Sequence, residues 1–302
     1  MVKDLYIIGN GFDMHHDIPS GYLNYRDWLE RNKPSVLCEI DDFFTSVDDN
    51  WWSNFETNLT TVEMLQIAYQ SAFENQPDFS SDDFKDADWY RAEHDVRIKL
   101  ESAFSDITQS FKEWIKSLPQ GNIAKKIRIR KEDSLFLTFN YSETLESLYS
   151  IPSNQILYIH GKANSDDQLI LGHGSSYKEL AHLFEKNESI ESGEYVLQRA
   201  KDSAVYSVYK YRKPVEKIIE NYNRWFEKLN DRTHIHIYGH SFSAIDLPYF
   251  RKVFSSVYRN LVSIEISDYK DKNHVAIESF MSSEGYNKDQ YSIVTLNQLL
   301  ER

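Results

Sequence analysis

The sequence is short of cysteine, of long apolar runs and of positive charge, and each shortage excludes a class of protein. Its 302 residues include one cysteine, Cys38, which excludes an internal disulfide and a metal site built from several cysteines. No apolar run is long enough to span a bilayer and no signal peptide is recognisable, so we expect a cytoplasmic location. The formal net charge of −13 argues against an extended phosphate-binding surface and against binding to an anionic membrane. We therefore expect neither a membrane nor a nucleic-acid partner.

The composition is otherwise that of a folded globular protein. Hydrophobic residues make up 41% of the chain, and the 14% of aromatic residues bury a large area per residue. Ten histidines raise the question of a metal site. The pairs His15-His16 and His234/His236 lack the helical H-E-x-x-H context of zinc enzymes, and we expect no metal. We interpret His234 and His236 as packed or surface residues of a strand.

The first strong pattern is a short apolar run that ends in two glycines. Residues 5–8 are rich in β-formers, which is typical of a buried parallel strand. Gly9 and Gly11 permit positive φ angles and let another molecule approach the backbone. Together they predict a nucleotide-binding α/β fold, although Met14 stands where the dinucleotide fingerprint has its third glycine. A tight turn after an edge strand is the alternative.

Further strand patterns follow, and several of them end in small or polar residues. They cover residues 134–139, 155–159, 168–171, 233–238, 261–266 and 291–294. The polar strand ends are Asn140, His160-Gly161, Gly172-His173-Gly174 and Gly239-His240-Ser241. Because the carboxyl ends of parallel strands share one edge of a sheet, we predict a ligand pocket there. The predicted fold is a single α/β domain over residues 1–302, with a Rossmann-like parallel sheet and large helical insertions at about 41–130 and 177–230.

Six segments carry a family resemblance in their order along the chain. They are LYIIGNGFD, the W-x-x-F-E-x-x-L pattern of Trp52, Phe55, Glu56 and Leu59, FNYSETLE, YIHG, LILGHG and GHSFSAIDLPYF. This ordered set resembles the bacteriophage abortive infection AbiH family. The resemblance implies a role in antiviral defence by abortive infection.

A more distant resemblance is to the sirtuin-type NAD-binding fold and its defence NADases. Thr138-Phe139-Asn140 stands where those proteins have a T-x-N motif, and His160-Gly161 follows as their His-Gly pair. The late Gly239-His240-Ser241 segment, with Asp246, is similar to their G-x-S/T segment. The resemblance implies a sirtuin-like fold with NAD as ligand or substrate. Phe12-Asp13 replaces the usual Ser, and the zinc-binding cysteines are missing, so protein deacetylation is not expected.

NAD cleavage assigns chemistry to three residues of this set. Breaking the bond between nicotinamide and ribose passes through an oxocarbenium-like state. Asn140 is our candidate for positioning the ribose and the attacking water, and His160 is the candidate base. Asp13 completes the predicted catalytic set by accepting a hydrogen bond from the ribose or the carboxamide, with helix capping as its alternative.

The remaining candidates would bind the nucleotide. The backbone N–H groups of Gly9, Asn10 and Gly11 would hold the pyrophosphate. Gly239, Ser241 and Asp246 would hold the adenosine ribose or one phosphate, although Ser241 is also a candidate helix N-cap. The other predicted binding residues are Phe12, Thr138, Gly161, Gly172, His173 and His240. Glu56 is either a further acid over the pocket or a surface carboxylate.

Three functions remain open at this point. The first is an NAD-cleaving phage-defence effector. The second is a nucleotide-binding sensor without catalysis, and the third is an RNA-cleaving toxin using His160 with Asp13 or Glu56, which the negative charge disfavours. The helical insertions are either a lid or candidate surfaces for a phage trigger or a protein partner. A homo-oligomer is a further candidate assembly.

Overall fold

Within the described part of the chain, six short strands pair into one parallel sheet. The computed structural model describes residues 3–78, 80, 82–166, 168–187, 195–258, 262–269 and 273–301. The strands are β1 (Asp4–Ile8), β2 (Leu135–Thr138), β3 (Ile156–Tyr158), β4 (His234–Tyr238), β5 (Ser263–Ser267) and β6 (Tyr291–Val294). Their order is β3-β2-β1-β4-β5-β6, with every pairing parallel. This is the strand order of doubly wound dinucleotide-binding folds, so the predicted Rossmann-like α/β fold with helical insertions is confirmed.

Helices connect the strands and fill the intervening stretches. They are α1 (Asn10–His15), α2 (Tyr22–Asn32), α3 (Pro34–Phe43), α4 (Asp49–Ser53), α5 (Phe55–Asn58), α6 (Met64–Glu74), α7 (Arg91–Ser117), α8 (Thr144–Ser147), α9 (Tyr177–Asn187), α10 (Tyr195–Lys210), α11 (Val215–Asn221), α12 (Asn223–Phe226), α13 (Leu247–Ser256) and α14 (His274–Ser283). Short 3-10 helices cover Asp86–Tyr90, Ile123–Lys125, Ser153–Gln155, Glu227–Asp231 and Leu296–Leu299.

The chain divides into two compact units. The first combines residues 1–21, 113–170 and 214–302, and it contains the sheet. The second combines residues 22–112 and 171–213 and is helical. The sequence predicts helical insertions at about 41–130 and 177–230; residues 188–194 of the latter lie outside the described residues.

The core of the first unit lies on both faces of the sheet. Side chains alternate along β1, so Leu5 and Ile7 pack with α11, α13 and α14 on one face. Tyr6 and Ile8 point to the other face, where Phe12 lies in the same cluster. Each fully buried aliphatic side chain contributes about 1.5–3 kcal/mol to stability, which fixes the strand register.

One predicted strand is wrong. Residues 168–171 do not join the sheet, because nearby loops satisfy their backbone groups. The Ile170 N–H donates to the His160 carbonyl at 2.9 Å, and the Tyr141 hydroxyl donates to the Ile170 carbonyl at 2.9 Å. The predicted strand at 261–266 is found as β5, and Leu261 itself lies outside the described residues.

The second unit is built on aromatic packing. Trp52 and Phe55 stack at 5.4 Å between ring centroids, and Tyr25 meets both rings edge-on. The long helix α7 lies within the predicted insertion at about 41–130, and its apolar stripe is buried. The W-x-x-F part of the sequence pattern is therefore core packing.

Candidate functional site

The glycine turn after β1 packs directly against the end of β4. The Gly9 N–H donates to the Tyr238 carbonyl at 2.9 Å, and the Gly11 N–H donates to the Gly239 carbonyl at 2.8 Å. A Cβ added at Gly239, whose φ is +69°, would lie 2.0 Å from the Phe12 nitrogen. Two of the three amides predicted to hold a pyrophosphate thus hold the β4 turn instead, and close backbone packing explains these glycines.

Asn10 and Phe12, the other two residues of this turn, are also held by contacts within the protein. The Asn10 side chain donates to the Ser20 carbonyl at 2.8 Å and accepts from the Ser20 hydroxyl at 2.6 Å. Phe12 is fully buried in the core, with its ring centroid 4.5 Å from that of His16. Asn10 therefore binds Ser20 through its side chain, whereas Phe12 packs in the core.

Asp13 is a buried carboxylate that joins α1 to the end of β2. It is 1% exposed, and its Oδ2 accepts a hydrogen bond from the Ser142 hydroxyl. Gly9 occupies the N-cap of α1, so the capping alternative for Asp13 is wrong. Burial raises the pKa of Asp13, although the nearby Ser142, Thr144 and Asn140 side chains favour its charged form.

Asn140 lies directly after β2, where the sequence predicted it. The Asn140 N–H donates to the Thr138 hydroxyl at 3.1 Å, which fixes the turn after the strand. The Asn140 amide is close to Asp13 but outside hydrogen-bond geometry. Neither Oδ1 nor Nδ2 of Asn140, nor Oδ1 of Asp13, has a hydrogen bond to any residue that the structure describes, and all three atoms are buried. Such orphaned polar atoms are costly in a native protein and mark a place where a ligand could bind.

The β4 turn fixes the orientation of His240. The Phe242 N–H donates to His240 Nδ1 at 2.9 Å. The Phe242 backbone has a φ of +56°, and its ring centroid lies 4.9 Å from that of Phe250. Because Nδ1 accepts this hydrogen bond, the proton of a neutral His240 sits on Nε2. Ser241, in contrast, is exposed, and α13 has Asp246 at its N-cap position, so the capping alternative for Ser241 is wrong.

Asp246 lies between two buried histidines. Its Oδ2 is 3.4 Å from His240 Nε2, and its Oδ1 is 3.9 Å from His160 Nε2. Although Asp246 stands at the N-cap position of α13, its side chain makes no cap hydrogen bond. We call His160, Asp246 and His240 the edge cluster, because they follow β3 and β4 at the carboxyl edge of the sheet.

Gly161 follows His160 and turns the chain back. Its φ is +87°, which favours glycine, and its N–H donates to the Tyr158 carbonyl at 3.2 Å. The ring of His160 lies 5.5 Å from that of Phe139 and 5.6 Å from that of Tyr249. His160 is thus held by aromatic packing as well as by its backbone turn.

Gly172 and His173 belong to the second unit, and the prediction that they end a sheet strand is wrong. A Cβ on Gly172 would lie 1.8 Å from the Tyr211 carbonyl oxygen, so this glycine permits close backbone packing. His173 Nδ1 accepts from the Ser175 N–H at 3.1 Å, so Nε2 donates to the Val208 carbonyl at 3.0 Å. Burial lowers the pKa of His173, which keeps it neutral.

Glu56 has a specific partner in the second unit. Its Oε2 lies 2.5 Å from the Nζ of Lys213, whose side chain is almost fully buried. The Lys213 N–H also donates to the His173 carbonyl at 2.8 Å. No sequence pattern pointed to Lys213, because the pairing spans more than 150 residues of chain.

Two functional-looking groups in the first unit were missed by sequence reasoning. Ser142, which follows β2, donates a hydrogen bond from its hydroxyl to the Asp13 carboxylate. His16 is fully buried, with Nδ1 2.7 Å from the Phe12 carbonyl oxygen and Nε2 2.7 Å from the Tyr149 hydroxyl. Burial lowers the pKa of His16 to about 4, so His16 is a neutral structural residue at physiological pH.

A second histidine–carboxylate group lies within the sheet. His236 Nδ1 is 3.1 Å from Glu265 Oε1, which also accepts from the Tyr238 hydroxyl at 2.6 Å. On its other side, His236 Nε2 is 3.9 Å from Asp4 Oδ1. Although burial opposes it, the hydrogen bonds and charges of Asp4 and Glu265 raise the pKa of His236. We call these four residues the sheet-face cluster.

Metal-ligand groups and membrane-spanning helices are both absent from the described residues. No group of three or more His, Cys, Asp or Glu side chains there has an arrangement that could hold a metal ion. None of the helices in the described ranges is long and apolar enough to cross a membrane. The carboxyl edge of the sheet carries the imidazoles of His160 and His240, the carboxylate of Asp246 and the amide of Asn140.

Comparison with known proteins agrees with the ordered sequence motifs. The profile of the family described as "Bacteriophage abortive infection AbiH" matches residues 5–268. A search of curated proteins gives no match. The profile match spans most of the chain, including β1 to β5 and the whole edge cluster. The chain therefore belongs to the bacteriophage abortive infection AbiH family, and this membership supports a role in phage abortive infection.

Proposed function

We propose that this protein acts in phage defence by binding NAD and hydrolysing the bond between nicotinamide and ribose. The observation that carries the proposal is Asn140, whose buried amide has no hydrogen bond to any described residue. It follows β2 in a sheet with the strand order of dinucleotide-binding folds. In such folds the ligand lies beyond the carboxyl ends of the strands, which is where Asn140, His160 and His240 are found.

The reaction needs few groups, and the first unit offers them. Water attacks the ribose carbon, the carbon–nitrogen bond breaks, and nicotinamide leaves as a neutral molecule because its ring takes the bonding electrons. Asn140 would orient the ribose and the water, and His160 would accept the proton that the water loses. Asp13, with its raised pKa and orphaned Oδ1, is suited to a hydrogen bond with the carboxamide of nicotinamide.

Burial sets a condition on this activity. Asn140, His160 and Asp13 are each less than 10% exposed. A ligand therefore reaches them only after neighbouring segments move. An enzyme that destroys a cellular cofactor must be silent until it is triggered, and a closed site is consistent with that requirement.

The test is to incubate the purified protein with NAD, with and without an extract of phage-infected cells, and to measure free nicotinamide. We expect release of nicotinamide and ADP-ribose by the wild type. Asn140→Ala and His160→Ala should each abolish release while leaving the circular dichroism and the melting temperature close to those of the wild type.

The same assay separates the two other functions. Tight binding of NAD or ADP-ribose with unchanged ligand after long incubation indicates a sensor without catalysis. Degradation of cellular RNA on expression, with constant NAD, indicates a ribonuclease. Absence of both turnover and nucleotide binding contradicts the proposal.

A further inference from the structure

Both ring nitrogens of His240 are committed within the edge cluster. Nδ1 accepts from the Phe242 N–H at 2.9 Å, and Nε2 faces Asp246 Oδ2 at 3.4 Å. The rings of Phe139 and Phe250, with centroids 4.6 and 4.7 Å from that of His240, restrict its rotation. These contacts fix the orientation of the His240 ring, so we interpret His240 as a support for Asp246.

Asp246 lies between His240 and His160, so its negative charge acts on the His160 ring. One of its oxygens faces His240 and the other faces His160 Nε2, at 3.9 Å. Asp246 is 8% exposed, so bulk water screens its charge weakly. A nearby carboxylate favours the form of an imidazole that carries a proton on the facing nitrogen.

We propose that Asp246 is a positioning residue for His160, which it holds with the proton on Nε2 and the basic lone pair on Nδ1, and that His240 holds Asp246 in place. The catalytic meaning of this arrangement rests on the proposed function, in which His160 is the base. In this arrangement Asp246, which the sequence predicts to hold the adenosine ribose or one phosphate, acts through His160 instead.

The arrangement can be tested without any substrate. The full chain is labelled with 15N in its histidines, and long-range proton–nitrogen correlations identify which ring nitrogen carries the proton. The titratable side chains that the structure records around His160 are Asp246, Tyr141 and Tyr249, with His240 behind Asp246. We expect His160 and His240 both to carry the proton on Nε2.

The isosteric Asp246→Asn variant should change which ring nitrogen of His160 carries the proton. The proton of His240 should stay on Nε2, because the Phe242 N–H still donates to its Nδ1. Glu265→Gln is the matched control, since it neutralises a carboxylate beside a different histidine. A wild-type His160 with its proton on Nδ1, or a His160 tautomer unchanged in Asp246→Asn, would overturn the proposal.

Kinetic measurements then show whether Asp246 positions His160 or only stabilises the fold. Asp246→Asn should lower kcat by about 100-fold at nearly constant KM. It should also move the acidic limb of the pH–rate profile to lower pH, because His160 loses a neighbouring negative charge. An unchanged pH profile contradicts the role of Asp246.

Two His240 variants test the support. In His240→Asn the side-chain oxygen can still accept from the Phe242 N–H, whereas in His240→Gln the amide can still reach Asp246. Lower kcat in His240→Asn, with partial recovery in His240→Gln, supports the proposal, and full activity of His240→Asn overturns it. If the wild type shows no NAD turnover but Asp246→Asn still shifts the His160 tautomer, the positioning stands and the NAD chemistry falls.

Discussion

Two of the histidine–carboxylate groups that the structure describes in the first unit are built in opposite ways. In the sheet-face cluster, Glu265 binds His236 at 3.1 Å and Tyr238 at 2.6 Å, so the carboxylate is satisfied by direct hydrogen bonds. In the edge cluster, Asp246 lies 3.4 Å from His240 and 3.9 Å from His160. The buried Asn140 amide, which follows β2, has no hydrogen bond to a described residue. Direct hydrogen bonds within a network stabilise a fold, whereas a buried amide such as that of Asn140, without a hydrogen bond to a described residue, is the signature of a site that completes its bonds with a ligand.

The largest expected effect is on the turn that supports the edge cluster. Gly239→Ala should lower the free energy of unfolding by about 3 kcal/mol or more, because its Cβ would lie 2.0 Å from the Phe12 nitrogen at a positive φ. Gly161→Ala is the matched control, with a similar φ but a nearest contact of 3.3 Å. It should lose only about 1–2 kcal/mol. Equal losses in urea titrations of the two variants would show that backbone strain alone explains Gly239.

A smaller loss is expected from the sheet-face cluster. Glu265→Ala removes the acceptor of the Tyr238 hydroxyl and the partner of His236, which should lower stability by about 2–3 kcal/mol. The same variant should leave nicotinamide release intact, because it lies outside the proposed site. Loss of release in a protein that remains folded would break the distinction between the two clusters.

The pH dependence of the sheet-face cluster follows from two pKa shifts. The pKa of His236 is raised, so its contribution is complete below the ordinary value of 6.5 and is lost as pH rises through the raised pKa. The pKa of Glu265 is lowered, chiefly by its hydrogen bond with His236, so its contribution is complete above 4.5 and is lost as pH falls through the lowered pKa. The stability difference between wild type and Glu265→Gln should be largest between pH 4.5 and 6.5. A difference that is constant from pH 3 to 9 contradicts this account.

The smallest expected effect is at Asp13, where ionisation of the carboxyl should lower the stability of the protein. Burial raises its pKa above 3.8, so the folded state retains this proton longer than the unfolded state, and wild-type stability falls as pH rises through that range. Asp13→Asn does not titrate, so its stability relative to the wild type should increase with pH. Thermal melts at several pH values measure this, and a relative stability that decreases with pH would show that Asp13 stabilises as an anion.

The sequence predicted the parts of this molecule that depend on local patterns. The apolar run at 5–8 and the glycines after it correctly placed β1 and its turn, and polar residues after strand patterns correctly placed Asn140 and His160 at the sheet edge. These features are visible locally because a buried strand and a tight turn each restrict residue type.

What failed depends on partners that are distant in sequence. Residues 168–171 have a strand pattern, but neighbouring loops satisfy their backbone groups. Ser142 has the look of a helix cap, and only its contact with Asp13, 129 residues away, shows its role. The Lys213 partner of Glu56 is invisible to local reasoning for the same reason.

The most direct measurement of the central claim is the rate of nicotinamide release from NAD in the presence of an extract of phage-infected cells. The wild type, Asn140→Ala and Glu265→Gln are compared under the same conditions. The account predicts release by the wild type and Glu265→Gln and none by Asn140→Ala. Release that persists in Asn140→Ala, or is absent from all three while nucleotide binding is also absent, would contradict it.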